Sequence, residues 1–213
     1  MRRPQRASAV ELYGVLMTRL TRQLPSLRGR QGGSTLLELL VTLVILSFGM
    51  LGFVGLQAKS AATDVEAYSR AQAILLLSDM ASRIEANRAN AATYASGDII
   101  GTGDSQLADC SGIAAGAARD ICEWSNAMKG AAEVKASAQV GAMYGARGCI
   151  ETIQAADPTP GVCTPGIYRV TVVWQGKTKT HAPALTCGES LFGAEEYRRA
   201  ISARIAVGLP SCV

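Results

Sequence analysis

The feature that most restricts the fold of this chain is an uncharged apolar run near its N-terminal end. Residues 39–56 are 18 consecutive positions without a charged side chain. As a helix they span about 27 Å, and one more turn makes them long enough to cross a hydrocarbon core of about 30 Å. The run exceeds the core of about 7–15 residues in a secretory signal, and no A-x-A-like site follows it. We therefore expect residues 34–56 to remain as a membrane-spanning helix.

The charge of the chain is divided sharply at this run. Residues 1–33 contain seven arginines, no lysine and one acid, Glu11, and so carry +6. The whole chain carries +4, which leaves −2 on residues 34–213. The basic part precedes an apolar helix, so the positive-inside rule places it in the cytoplasm. The remainder is not basic, which argues against a nucleic-acid partner.

One acid, Glu38, lies inside the apolar helix. Burying a charge near the bilayer centre costs about 2.5–3.5 kcal/mol, so such a residue indicates a function and needs a cationic partner. A plain single-pass anchor does not explain it. A cut between Gly33 and Ser34 would release an α-amino group four residues from Glu38. That group could neutralise the carboxylate in the same chain or in a neighbour.

The segment Gly33-Ser-Thr-Leu-Leu-Glu38, followed by the apolar helix, resembles the class III signal of type IV prepilins and type II secretion pseudopilins. The resemblance implies that a membrane aspartyl protease, the prepilin peptidase, cuts after Gly33 and methylates the new N-terminus at Ser34. It also implies that Glu38, the fifth mature residue, pairs with the N-terminus of an adjacent subunit during assembly. The family usually has Phe where this chain has Ser34.

The resemblance makes residues 1–33 a leader peptide, which is long for the family. Met17 offers a second start that would give a leader of 17 residues. We expect Met1 to be an extension of the true start, and intact-mass analysis in a strain lacking the peptidase distinguishes the two.

Helical periodicity continues beyond the apolar run. Residues 34–92 are predicted to form one long helix, with residues 34–56 as its membrane-spanning or filament-core part and the Asn87–Asn90 region as its end. Gly49, Gly52 and Gly55 weaken one segment of it. They indicate either close helix packing or a stretch that loosens when the subunit enters a filament.

Residues 93–213 are predicted to form a periplasmic globular domain, which makes the chain an α+β, pilin-like protein. Residues 93–118 read as a loop, residues 157–161 as a turn and residues 176–180 as a hairpin or sheet edge. A short helix is expected at residues 120–129, with Ile121, Trp124 and Met128 on one face. Strands are expected at residues 146–154, 167–175 and 197–207, the last with a helical alternative. In the strand at residues 167–175, one face is expected to carry Tyr168, Val170, Val172 and Trp174, and the other Arg169, Thr171 and Gln175.

Six cysteines follow the apolar run, and none forms a C-x-x-C pair. An even number on one side of a membrane segment predicts disulfides in an oxidising compartment, with buried free thiols as the alternative. Six cysteines allow 15 pairings. Sequential pairing closes the shortest loops, and it would join Cys110–Cys122, Cys149–Cys163 and Cys187–Cys212.

The sequence gives little support to an enzyme. Catalysis needs a positioned base, nucleophile or metal, and the single histidine, His181, lies in a predicted loop without ligand spacing around it. Dispersed acids such as Glu195 and Glu196 are interpreted as a solvated face. No P-loop is present, and no cofactor or metal is expected.

Several later segments resemble PilV-type minor pilins. The resemblance implies a minor pilin that primes assembly near the filament tip, with other minor pilins, the major pilin and a large tip adhesin as partners. A minor pseudopilin of type II secretion and an abundant major pilin are the alternatives, although six cysteines are unusual for a major pilin. The segments are Ser78 to Asn87, Gly148-Cys-Ile, Tyr168 to Trp174, Cys187 and the Arg198-Arg199 pair.

Overall fold

A computed structural model describes residues 33, 35–130, 134–135, 138–139 and 143–209, with only the backbone described at 134–135 and 138–139. The described residues divide into two compact units, which fall within Met1–Leu51 and Gly52–Val213. The first contains the N-terminal part of a long helix. The second contains the rest of that helix and a sheet.

The predicted long helix is confirmed as α1, Leu36–Ala86, which has 51 residues. It continues without a break through Gly49, Gly52 and Gly55. It ends at Ala86, immediately before the predicted Asn87–Asn90 end region, because Asn87 leaves the helical region with φ −107° and ψ 44°. A short 3-10 helix, Arg88–Tyr94, follows and is itself irregular at Asn90.

The C-terminal part of α1 packs on the sheet through one narrow stripe. Its buried residues, Ser69, Ala73, Met80 and Ile84, follow helical spacing. Ala73, Met80 and Ile84 belong to a single apolar core with residues of the sheet. The Ser69 hydroxyl donates to the Val65 carbonyl oxygen at 2.9 Å, so this buried polar group is satisfied inside the helix.

A four-stranded antiparallel sheet forms the other layer, and it confirms the predicted α+β, pilin-like arrangement. Its strand order is β1-β4-β5-β6, while β2 and β3 form a separate two-stranded sheet. A second helix, α2, lies between β1 and β2 in the chain. The elements are β1 (Ile100–Gly101), α2 (Ala117–Met128), β2 (Val134–Lys135), β3 (Ala138–Gln139), β4 (Arg147–Gln154), β5 (Gly166–Gln175) and β6 (Arg198–Val207).

The predicted inner face of the central strand is confirmed. Tyr168, Val170, Val172 and Trp174 of β5 are all buried in the core cluster. The last predicted strand is also a strand: β6 pairs with β5 over ten residues without a register shift, which excludes its helical alternative.

Part of the opposite sheet face is buried as well, contrary to the polar face expected from β5. Thr171 and Val173 are 1% and 0% exposed. Val173 packs with Cys149, Cys187 and Phe192, because a disulfide holds the segment carrying Cys187 over this end of the sheet. The expected hairpin or edge at residues 176–180 is wrong: residues 176–194 form an irregular connection.

Residues 93–118 contain more structure than the predicted loop. The short strand β1 pairs with Arg147 and Gly148 of β4, and Ile100 is 2% exposed. Asp104 stabilises the turn that follows, since its carboxylate accepts the Gly101 N–H at 2.7 Å and the Ser125 hydroxyl at 2.7 Å. The Gly- and Ser-rich composition of this segment gives no strand signal, so the pairing of β1 with β4 was not predicted.

Helix α2 confirms the predicted short helix and its apolar face. Ile121, Trp124 and Met128 are buried. Trp124 is 0% exposed, and its indole N–H donates to the Leu76 carbonyl oxygen of α1 at 2.9 Å. The same ring lies against Gly148 of β4, so it joins both helices to the sheet.

Of the three disulfides expected from sequential pairing, one is present in the structure. Cys110–Cys122 is confirmed, with Cα atoms 5.9 Å apart. The second disulfide is Cys149–Cys187, so Cys149–Cys163 and Cys187–Cys212 are both wrong. This disulfide joins strand β4 to the connection before β6 across 38 residues. It depends on the tertiary structure, so loop length alone could not predict it. Cys163 is also disulfide-bonded, and Cys212 lies outside the described residues.

We predict that Gly148→Ala destabilises the domain by about 1–3 kcal/mol, the usual range for overpacking a core. A Cβ at this position would lie 2.2 Å from the Trp124 ring. Denaturant unfolding of the detergent-solubilised chain, followed by tryptophan fluorescence, measures the change. Gly112→Ala is the matched control, because nothing lies within 4 Å of its Cβ position. Equal midpoints for the two variants would contradict the packing described here.

We also predict a third disulfide between Cys163 and Cys212, since the two disulfides above use the other four cysteines. Peptide mapping under non-reducing conditions should recover this link together with Cys110–Cys122 and Cys149–Cys187. Recovery of Cys187 linked to Cys212 would instead support the sequential pairing.

Candidate functional site at the start of the long helix

The start of α1 is set by a side-chain cap. The Thr35 hydroxyl accepts the Glu38 backbone N–H at 3.3 Å, and the Thr35 carbonyl accepts the Leu39 N–H at 3.1 Å. Thr35 is therefore the N-cap, and the Thr-x-x-Glu spacing is that of a capping box. Gly33 is exposed and lies before the helix, while Ser34 lies outside the described residues.

Glu38 is exposed near the start of the long helix. It occupies the first turn of α1, where a carboxylate interacts favourably with the helix dipole. Among the described residues, none forms an ion pair with it. Its charge thus has two possible uses, as part of the helix cap or as a group that pairs with a cation from elsewhere.

The apolar surface after Glu38 is not covered by the folded chain. Every side chain from Thr35 to Ala61 is exposed. The large apolar ones in this stretch have exposed fractions from 45% at Val44 to 85% at Leu36. Among the described helices, α1 is the one long and apolar enough to cross a membrane. A surface of this kind needs lipid or other apolar helices around it.

Polar side chains within the apolar stretch are satisfied by the helix itself. The Thr42 hydroxyl donates to the Leu39 carbonyl at 2.8 Å, and the Ser47 hydroxyl donates to the Leu43 carbonyl at 2.7 Å. These local bonds remove the cost of placing hydroxyls in an apolar medium. The ionisable side chain of Glu38 is left as the group that requires a partner.

A cluster of charged residues around Arg83 holds α1 against α2. The predicted pair with Asp79 is confirmed at 3.0 Å, and Arg83 also reaches Asp120 at 3.0 Å and Glu123 at 2.7 Å. Tyr94 donates a short hydrogen bond to the Asp120 carboxylate. Its burial and that hydrogen bond raise the pKa of Tyr94 to about 12. This network fastens the two helices and leaves no base free for catalysis.

The adjacent arginines near the C-terminal end have separate structural roles, which follow from their opposite directions on β6. Arg198 is 2% exposed; its guanidinium donates to the Leu185 carbonyl at 2.6 Å and the Cys187 carbonyl at 3.0 Å. Arg199 pairs with Glu66 of α1 at 2.5 Å. Sequence reasoning missed the Arg199–Glu66 pair, because 133 residues separate its members.

The interpretation of Glu195 and Glu196 as a solvated face is wrong for Glu195. Its carboxylate pairs with the buried Arg198 at 2.5 Å and accepts the Ser190 N–H at 2.6 Å. Glu196 is exposed and pairs with Lys179 at 2.9 Å. Both acids thus help to hold the connection before β6.

Two open cavities of about 520 and 450 Å³ lie on either side of the Glu66–Arg199 pair. The first is lined by Tyr144, Lys177 and Tyr197, and the second by Arg70 and Trp174. Neither joins a nucleophile to a base. His181 is exposed, as predicted, and within the described ranges no three His, Cys, Asp or Glu side chains are grouped to hold a metal.

Comparison with known proteins gives one match, and it falls on this site. Residues 28–54 match the family described as the prokaryotic N-terminal methylation motif. No curated protein and no solved structure matches the chain. The matched segment contains Gly33, Ser34, Glu38 and most of the apolar run. It supports a type IV pilin-like or pseudopilin protein, a structural protein processed by a prepilin peptidase and assembled with other pilins.

Proposed function

We propose that this chain is a minor type IV pilin of the PilV type, which takes part in priming and assembling the pilus. The observation that carries the proposal is the methylation motif at residues 28–54 on a helix whose apolar half is fully exposed. Filament subunits and membrane anchors both require such a surface. The motif adds a processing site at its start, which an ordinary anchor does not need.

Processing is the first step of the proposed mechanism. The prepilin peptidase cuts between Gly33 and Ser34 on the cytoplasmic side and methylates the Ser34 amino group. Gly33 precedes the helix, and the Thr35 cap stops helical hydrogen bonding at this point. Gly33, on the N-terminal side of the bond to be cut, therefore lies outside regular structure, where a protease can bind it in an extended form.

Assembly follows from the charge of Glu38. The subunit waits in the inner membrane, with residues 93–213 in the periplasm. The Glu38 carboxylate pairs with the N-terminal ammonium group of a neighbouring subunit, and the pair enters the filament core with no net charge. Pairing is required because an isolated carboxylate in an apolar core is costly. The apolar side chains of α1 then pack against the helices of neighbours.

The PilV type and a position near the tip rest on the later segments. The Tyr168 to Trp174 strand and the Ser78 to Asn87 segment support a minor pilin that works with other minor pilins, the major pilin and a large tip-associated adhesin. A minor pseudopilin of type II secretion is the second candidate, since the same motif supports it equally. Loss of surface pili with type II export intact in a deletion strain supports the first.

The first experiment is mass spectrometry of the mature N-terminus from native membranes. We predict a chain that starts at Ser34, with or without one methyl group. In a strain lacking the peptidase the leader should remain, and its mass also decides between Met1 and Met17 as the start. A chain that keeps its leader in the presence of active peptidase would reduce the protein to an anchored domain.

The second experiment separates the two roles of Glu38. We predict that Glu38→Ala and Glu38→Gln are both cleaved normally, and that both lower incorporation into sheared filaments by about tenfold or more. Gln serves in a capping box as well as Glu does, so this variant keeps the cap and removes the charge. Wild-type incorporation of Glu38→Gln with loss for Glu38→Ala would assign Glu38 to the cap.

A further inference from the structure

The two edges of the four-stranded sheet differ in how they are protected. The β4 edge is covered by β1 at Arg147 and Gly148, and its pairing with β5 is irregular between Thr152 and Gln154. Among the described residues, the β6 edge has neither a covering strand nor an irregular pairing. Its ten residues pair regularly with β5, and the Arg198 N–H donates to the Glu195 carbonyl oxygen. Apart from the pairing with β5, no backbone group from Arg199 to Val207 bonds to any other described backbone group.

A long regular edge strand is unusual in a protein that works alone. Its outward N–H and C=O groups can accept another strand, and isolated proteins blunt such edges with bulges, prolines or short strands. β6 contains no proline and no bulge, and it is twice the usual strand length of about five residues. Among the residues that the structure describes, none pairs with this edge from Arg199 to Val207, so it can accept an added strand.

A row of charges across the sheet shows what an added strand should carry. On the outer face Glu151, Arg169 and Arg204 lie side by side on β4, β5 and β6. Arg169 pairs with Glu151 at 3.3 Å, whereas Arg204 is exposed and forms no ion pair with any described residue. Two arginines opposite each other repel, so a carboxylate beyond Arg204 would complete the row.

We propose that β6 binds an extended segment of a different subunit of the same filament, which adds as a fifth strand and places a carboxylate opposite Arg204. The inner side of that strand would carry apolar residues, because Ile201 and Ala203 are only partly covered. A second copy of this chain fits less well, since the part of its own β4 edge that β1 leaves uncovered is irregular, and Glu151 there already binds Arg169.

This inference rests on the proposed function, and amide hydrogen exchange tests both. Exchange of the Arg198–Val207 amides is compared between detergent-extracted subunits and subunits in sheared filaments. About half of these amides point outward in an edge strand, and we expect this half to become protected on assembly. Assembled subunits with unchanged β6 exchange would overturn strand addition alone. A chain that never enters filaments would overturn the proposed function as well.

The charge row is tested by Arg204→Glu, for which we expect about a fivefold fall in incorporation as an exposed ion pair becomes a repulsion. Arg88→Glu is the matched control, because Arg88 is also exposed and its substitution changes the charge by the same amount away from the β6 edge. Normal leader cleavage and intact disulfides verify folding. Equal incorporation of the two variants would overturn the role of Arg204.

A photoreactive phenylalanine analogue at Ser202, which is exposed on β6, identifies the occupant in intact filaments. Crosslinks to an extended, acid-bearing segment of another pilin-like subunit support the proposal. Crosslinks to a second copy of this chain, or to lipid alone, overturn it.

Discussion

The structure depends on one constraint: an uncharged helical surface that the rest of the chain does not cover. All side chains from Thr35 to Ala61 are exposed, although most of them are apolar. Burying such side chains is worth about 1.5–3 kcal/mol each, so the surface is stable only inside a membrane or among other helices. Glu38 adds a second requirement, because its charge must be paired in the same medium. Membrane anchoring and filament assembly are thus two ways of covering this apolar surface and pairing this charge.

The folded domain has a different requirement, because it must be stable in water with a thin apolar core. Trp124 contributes most to this, since it contacts α1 through the Leu76 carbonyl and β4 through Gly148. The charges around Arg83 fasten α1 to α2 at one end, and Arg199 fastens β6 to α1 through Glu66. The Cys149–Cys187 disulfide covers the outer sheet face with Phe192. A small domain gains more from such cross-links than from additional apolar area.

Local patterns predicted most of the elements, whereas contacts between distant residues escaped prediction. The alternation in β5 and the periodicity of α1 and α2 reflect burial, so the positions of all three elements and the inner faces of β5 and α2 were predictable. β1 has only two residues and pairs through its backbone, which leaves little trace in composition. The partners of Cys149, Arg198 and Arg199 depend on how the connection before β6 folds back. The candidate site could be proposed from the sequence alone, because Gly33, Glu38 and the apolar run are adjacent in sequence, and its roles stay predictions.

The restriction of the family match to residues 28–54 has a physical reason. In the proposed mechanism a protease reads the residues around Gly33 directly, and a membrane or filament core accepts few substitutions near Glu38. A sheet core accepts many combinations of apolar side chains if volume and pattern are kept. Loops and sheet edges are freer still, and they are the surfaces that distinguish one partner from another. The matched segment is therefore the part of the chain that supports a pilin-like protein. In the proposed function, the domain decides the place of this chain among other subunits, at surfaces such as the edge of β6.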